Sequence, residues 1–195
     1  MFYEPRLGHP LPHNPFKAIV SPRPIGWIST VDIDGNANLA PYSFFNAVAD
    51  TPPMVMFSSS GNKDSLSNIR ATGEFVVNVV SDSLKDQMNI TSGAVPSNID
   101  EFDLAGLKKA DCRLVRAPRV AAAPAALECK VFQIIELVPN TSIMVIGEVV
   151  GVHLDDRAIV NGIFDVTLFN PLARLGYKDY TSVQKVFSLN RPEQE

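Results

Sequence analysis

Short apolar runs, each stopped by a turn-forming residue before it reaches helical length, constrain this chain more than any other feature. Residues 25–33 are rich in β-branched and aromatic side chains and end at Asp34-Gly35, a dipeptide suited to a tight hairpin, and residues 38–44 read as the return strand. Thr51-Pro52-Pro53 breaks the chain before a short buried strand at residues 54–57, and residues 58–62 then read as loop. Residues 74–80 read as strand again. In residues 127–137 the alternation puts Leu127, Cys129, Val131, Ile135 and Leu137 on one face and Glu128, Lys130 and Glu136 on the other. Residues 142–154 are apolar on both faces, which suits a strand covered on both sides or used in a subunit contact.

Helical signals are few and short. Asp64 is placed to cap a helix with Leu66 and Ile69 three apart and Gly73 at its stop, and residues 82–90 read as a second short helix. Residues 101–107 fit a helical turn within the irregular stretch 91–124. A doubly wound sheet would need several long amphipathic helices, so the expected fold is mainly β, an antiparallel barrel, closed or nearly closed, with a few short helices attached. The prolines at 5, 10, 12, 15, 22 and 24 forbid regular helix in residues 1–24, which we read as an extended arm on a domain at residues 25–195.

Composition narrows the function classes. The formal net charge of -4 leaves no broad basic field for nucleic acid, and no apolar run approaches the roughly 18 residues a membrane span needs. The amino terminus lacks an export or import pattern, so the cytoplasm is the expected location. Cys112 and Cys129 are far from any C-x-x-C spacing; both are expected to pack as small apolar residues, and no metal site is expected. His9 and His13 lie in the arm without evident co-ligands.

No dinucleotide fingerprint, P-loop, zinc-protease or nucleophile-elbow motif is present. The positive signal is a concentration of anion donors at one helix start. Ser58, Ser59, Ser60 and Asn62 offer hydroxyl, amide and backbone donors, Lys63 adds a full charge, and Ser65 falls in the first turn, where free N–H groups favour an anion. The same loop also serves as an ordinary helix start.

Several runs resemble one family. RPIGWIST at residues 23–30, NLAPYSFFN at 38–46, KDSLSNI at 63–69, GEFVVN at 73–78, Glu101-Phe102 with Ala105-Gly106-Leu107, Leu127-Glu128-Cys129, and Gly147-Glu148-Val149 followed by His153 are similar to the flavin reductase-like, FMN-binding split-barrel family that includes flavoredoxin. The resemblance implies a Greek-key split barrel, usually a homodimer, with FMN near the dimer interface reduced by NADH or NADPH. It implies contacts to the isoalloxazine or ribityl from Ser29, Thr30 and Asn46, with Ser43 nearby. It places the phosphate on Ser58, Ser59, Lys63 and Ser65, and gives Arg174 and Tyr177 a role in closing the site from the tail.

The chain departs from the family pattern at Ser65, often threonine, and at Tyr177, where Arg-Leu-Gly-Gly is common. The implied activity is an FMN-dependent oxidoreductase using NAD(P)H, keeping its flavin or passing electrons or reduced flavin to an oxygenase or other redox partner. Alternatives are a flavoredoxin-like carrier that does not use NAD(P)H directly and a flavin-binding protein without redox duty. The flavin carries the chemistry, so no general base is required. His153 has two readings, beside the flavin or nicotinamide, or simply ending a strand.

Overall fold

The computed structural model describes residues 1–192. Seven antiparallel strands form the main sheet: β1 (Gly26–Val31), β2 (Ala37–Tyr42), β3 (Phe45–Asp50), β4 (Pro53–Ser59), β5 (Glu74–Val79), β6 (Ala125–Val138) and β7 (Ser142–Leu154). Their spatial order is β2-β1-β5-β6-β7-β4-β3. The two edge strands, β2 and β3, are joined only by Ser43 and Phe44. That link can span at most about 11 Å, whereas seven strands laid flat would hold their edges roughly 29 Å apart. The sheet therefore curls until its edges face one another, and the unpaired seam between them makes it a split barrel. Pro41 is tolerated in β2 because an edge strand leaves one side of its backbone unpaired.

The barrel interior is filled by side chains that alternate inward. Ile28, Phe57, Phe75, Val77, Cys129 and Val145 are fully buried together, which at about 1.5–3 kcal/mol per large apolar side chain is a principal stabilising contribution. Helix α1 (Asp64–Thr72) lays Leu66 and Ile69 onto this core from one face. It stops at Gly73, whose φ of 72° allows a left-handed cap and whose N–H reaches the Ile69 carbonyl. Gly147 is required by close approach: a Cβ there would sit 2.5 Å from the Phe75 ring.

A second cluster gathers Trp27, Leu39, Met88 and Phe102 under the short helices α2 (Lys85–Ile90) and α3 (Glu101–Leu104). The buried Trp27 indole N–H donates to the Thr91 hydroxyl at 2.9 Å. This bond ties the turn after α2 to the barrel.

The structure corrects four expectations. The capping position of α1 is Lys63, without a side-chain cap, and Asp64 is the first helical residue, where its charge meets the positive end of the helix. The arm holds one helical turn, Phe16–Ile19, which starts after Pro15 rather than through it. Residues 58–62 read as loop, yet β4 runs on through Ser58 and Ser59 because β7 pairs them with Met144 and Ile143. Glu128, assigned to the polar face of β6, is 1% exposed; the neighbouring loop turns its N–H groups onto the carboxylate and buries it.

The arm and the tail are fastened together. The Arg23 guanidinium, buried, donates to the Lys17 and Val20 carbonyls of the arm and, at 2.7 Å, to the Leu175 carbonyl of the tail. A three-stranded ribbon, with Leu172–Arg174 between Arg23–Pro24 and Tyr180–Ser182, continues the same join.

Candidate functional site

A groove forms where the β2 edge meets the starts of α1 and α3 and the turn after α2. Its first compartment, about 240 Å3, is lined by Asn38 and Tyr42 from β2, Lys63 and Ser65 from α1, Thr91, and Glu101 from α3. A second, about 170 Å3, holds Ser43, Arg174 and Tyr180. Pro41 and Ser92 line both, so the two adjoin.

The first compartment is polar and incompletely satisfied. The Asn38 amide donates to the buried Ser65 hydroxyl oxygen at 2.8 Å, which leaves the Ser65 proton free to point elsewhere. The Ser65 and Ser59 hydroxyls stand near the Tyr42 hydroxyl, yet it is buried without a hydrogen-bond partner of normal geometry. Burial pushes its phenol up; the Ser65 and Ser59 hydroxyls oppose the shift and the Asp64 and Glu101 carboxylates add to it. An unpaired buried hydroxyl costs about 1–3 kcal/mol, which an acceptor in the groove would recover.

Glu101 lines the compartment with Lys63 and Asp64, adding a second carboxyl group. It is 6% exposed, and one carboxylate oxygen accepts the Leu39 N–H at 3.0 Å. Burial pushes its carboxyl above the ordinary range, the Leu39 N–H opposes this, and Asp100 and Asp64 reinforce it.

The residues marked in the sequence separate into three groups. Lys63 and Ser65 line the first compartment, Ser59 lies against Tyr42, and Ser43 and Arg174 line the second. The Ser59 hydroxyl donates to the Gly61 carbonyl at 3.0 Å, while Ser58 is half-buried further along β4.

Other marked residues are not in the groove. Ser29 and Thr30 are fully buried and their hydroxyls are already engaged. Ser29 donates to the Pro118 carbonyl at 2.6 Å and accepts from Asn78, and Thr30 accepts from Asn68 at 3.1 Å. Asn46 is exposed on β3. Tyr177 is exposed and set edge-on to His13 of the arm, in a left-handed conformation with φ of 55°. That is the backbone a glycine adopts freely. Arg174 donates to the Tyr177 carbonyl and the Tyr180 hydroxyl, which fixes the tail over the second compartment.

His153 lies in a different hollow, with its Nε2 2.6 Å from a Glu128 oxygen. Glu128 also accepts the Arg113, Leu114 and Val115 N–H groups at 2.8, 2.6 and 3.1 Å. Burial alone would raise its carboxyl; these N–H groups and His153 outweigh it and hold the group below the ordinary range.

Sequence reasoning missed Asn38, Tyr42, Thr91 and Glu101 as groove residues. Asn38, Tyr42 and Glu101 fall within runs that resemble the family, a signal that carries no role, and Thr91 had no signal at all. Among the described residues no helix is long and apolar enough to cross a membrane.

The fold and the chain's relatives agree. A protein from Aquifex aeolicus, uncharacterised, is 39% identical over 83% of this chain and 85% of its own length. The crystal structure of Pseudomonas fluorescens 2-nitrobenzoate 2-nitroreductase superposes with a TM-score of 0.84 at 31% identity, covering 91% of this chain and 88% of that one. Nitrilotriacetate monooxygenase component B from Bacillus cereus is similar at a TM-score of 0.84 and 27% identity, over 93% of this chain and 100% of that one. The model of the flavin reductase like domain matches residues 20–172, and the chain belongs to that family.

Proposed function

We propose that this protein is a flavin reductase that binds FMN in the groove along β2 and reduces it with NADH or NADPH. The observation that carries the reading is the buried Tyr42 hydroxyl, left without a partner beside Ser59, Ser65 and Lys63 in a groove whose adjoining compartment holds Ser43 and Arg174. These donors fit a phosphate at the first compartment. Lys63 would supply charge, Ser65 and Tyr42 would donate protons, and the Asn38 amide would hold Ser65 in the donating orientation.

A bound flavin would supply the hydride-accepting chemistry. The protein's own part is to orient it and limit water: Arg174, held by Tyr180 and the Tyr177 carbonyl, positions the tail at the second compartment. Ser29, Thr30 and Asn46 would contact the ring or ribityl only through movement or a second subunit. Their hydroxyls and amide have no opening to the groove in the single chain.

A homodimer fits the outer face of β4 and β7, where Met56 and Ile146 are cross-strand partners and half-buried without cover. Reduced flavin or electrons would then pass to an oxygenase or another redox protein in the cytoplasm. The similarity to a monooxygenase component supports a separate acceptor.

The test is spectroscopic and kinetic. Protein reconstituted with FMN should show a bound-flavin spectrum and oxidise NADH or NADPH with excess free FMN. A protein that takes up no FMN defeats the proposal. Tight FMN without turnover by either nicotinamide identifies an electron carrier instead.

A further inference from the structure

A larger hollow, about 840 Å3, shares no lining residue with the flavin groove. Glu128 and His153 line it, and Cys112 lies beside both. The Cys112 thiol, a Glu128 oxygen and a His153 ring nitrogen all lie within 4.8 Å of one another. They come from three segments: the irregular stretch between Lys109–Ala110 and Arg119–Val120, strand β6, and strand β7.

The sheet brings two of them together through a local irregularity. Val149 pairs with Cys129 and Gly151 with Glu128, so one residue of β7 is extra at this point. Gly151 stands directly opposite Glu128, and a Cβ on it would come within 3.3 Å of the Glu128 carboxyl carbon. Its bare Cα leaves the Glu128 side chain room to reach His153, two residues further along the same face.

Thiolate, imidazole and carboxylate are the mixed donor set that zinc accepts, and three protein donors beside an open space match a site whose fourth position is taken by water. Zinc bonds of about 2.0–2.3 Å place neighbouring ligand atoms roughly 3.3–3.8 Å apart. The 2.6 Å Glu128–His153 contact has to widen and the longer separations have to close. Cys112 lies outside regular structure and His153 keeps partial exposure, so both can adjust. Glu128 stays oriented by the Arg113, Leu114 and Val115 N–H groups, as outer partners orient a metal ligand.

Two anionic donors would neutralise a dication. Around them stand Arg113, Arg119 and Arg157 against Asp155 and Asp156, equal but for one arginine.

We propose that Cys112, Glu128 and His153 form a binding site for a soft-donor divalent cation, zinc by its donor set, with the fourth position open to the hollow. The ion would tie the 111–118 stretch to β6 and β7. The site stands apart from the flavin reading and does not depend on it.

Cobalt(II) is the probe. The full chain, dialysed against chelator, is titrated with cobalt(II) and should bind one equivalent. The expected spectrum has a thiolate-to-cobalt charge-transfer band in the near ultraviolet and d–d bands beyond the wavelengths at which oxidised flavin absorbs, and zinc should displace it. Cys112→Ser should abolish the charge-transfer band and weaken zinc binding by more than about 100-fold, since even outer partners are worth 10–100-fold. His153→Gln should weaken it comparably. Cys112 packs at the margin of a small apolar cluster with Val115 and Ala117 and His153 is partly exposed, so circular dichroism checks that the variants fold. A folded parent chain that binds no cobalt, a spectrum without the thiolate band, or zinc binding that survives either substitution overturns the site.

Discussion

The Asn38 amide and the Ser65 hydroxyl, 2.8 Å apart and both buried, lock the edge strand β2 to the first turn of α1. The bond uses the oxygen of Ser65 and keeps its proton for another partner. Lys63→Ala should therefore weaken FMN binding by roughly 10- to 100-fold, the scale of a charge-assisted hydrogen bond. Ser65→Ala should cost roughly 3- to 10-fold, the scale of a neutral one. Flavin fluorescence titration reads both. An unchanged affinity in both variants would remove the phosphate from this end of the groove.

Glu101 in its ionised form opposes an anion in the same compartment, so Glu101→Gln should tighten FMN binding by about 3- to 10-fold at a pH above the raised carboxyl value. The amide keeps an oxygen for the Leu39 N–H. The sign with pH follows from the raised carboxyl. The folded protein holds this proton more tightly than the unfolded chain. Stability and FMN affinity should both fall as pH rises from the ordinary carboxylate range through the raised value, and Glu101→Gln should lack that slope. Isothermal titration across this range decides it.

Glu128 carries the opposite sign. Its lowered carboxyl means that its stabilising contribution is present above the ordinary carboxylate value and is lost as pH falls through the folded-state value. Glu128→Gln presents an NH2 to N–H donors, so about 3 kcal/mol of stability should disappear. Urea unfolding at neutral pH measures the loss. The acid side of the variant's stability profile should be flatter than that of the parent.

Gly147→Ala should destabilise the barrel by about 1–3 kcal/mol, because the added methyl group meets the Phe75 ring in a core with no slack. A thermal melt reads the effect. Pairing Gly147→Ala with Phe75→Leu should recover part of the loss, which separates overpacking from backbone effects.

The sequence made the barrel legible wherever its signals were local. Asp34-Gly35 set the first hairpin, and there the Asp32 carboxylate accepts the Asp34 and Asn36 N–H groups. Gly73 stopped α1 where its left-handed cap allowed. Glu128 was misplaced because alternation scores a carboxylate as solvent-facing, and only the fold supplies the three N–H groups that bury it. The groove was half legible. The Lys63 and Ser65 donors are two positions apart in the chain, whereas Tyr42, Thr91 and Glu101 reach them across 21 to 38 residues of chain by way of the barrel's curl.

Arg23 lends both chain ends to one side chain. Its bonds to the Lys17 and Val20 carbonyls on one side and the Leu175 carbonyl on the other make the two termini a single cooperative unit, although more than 150 residues separate them. Clipping the arm before residue 20 should therefore be felt by amides of Leu172–Arg174, whose hydrogen exchange would quicken with no nearby bond cut. The tail contacts at the groove then inherit their order from a residue at the far end of the sequence.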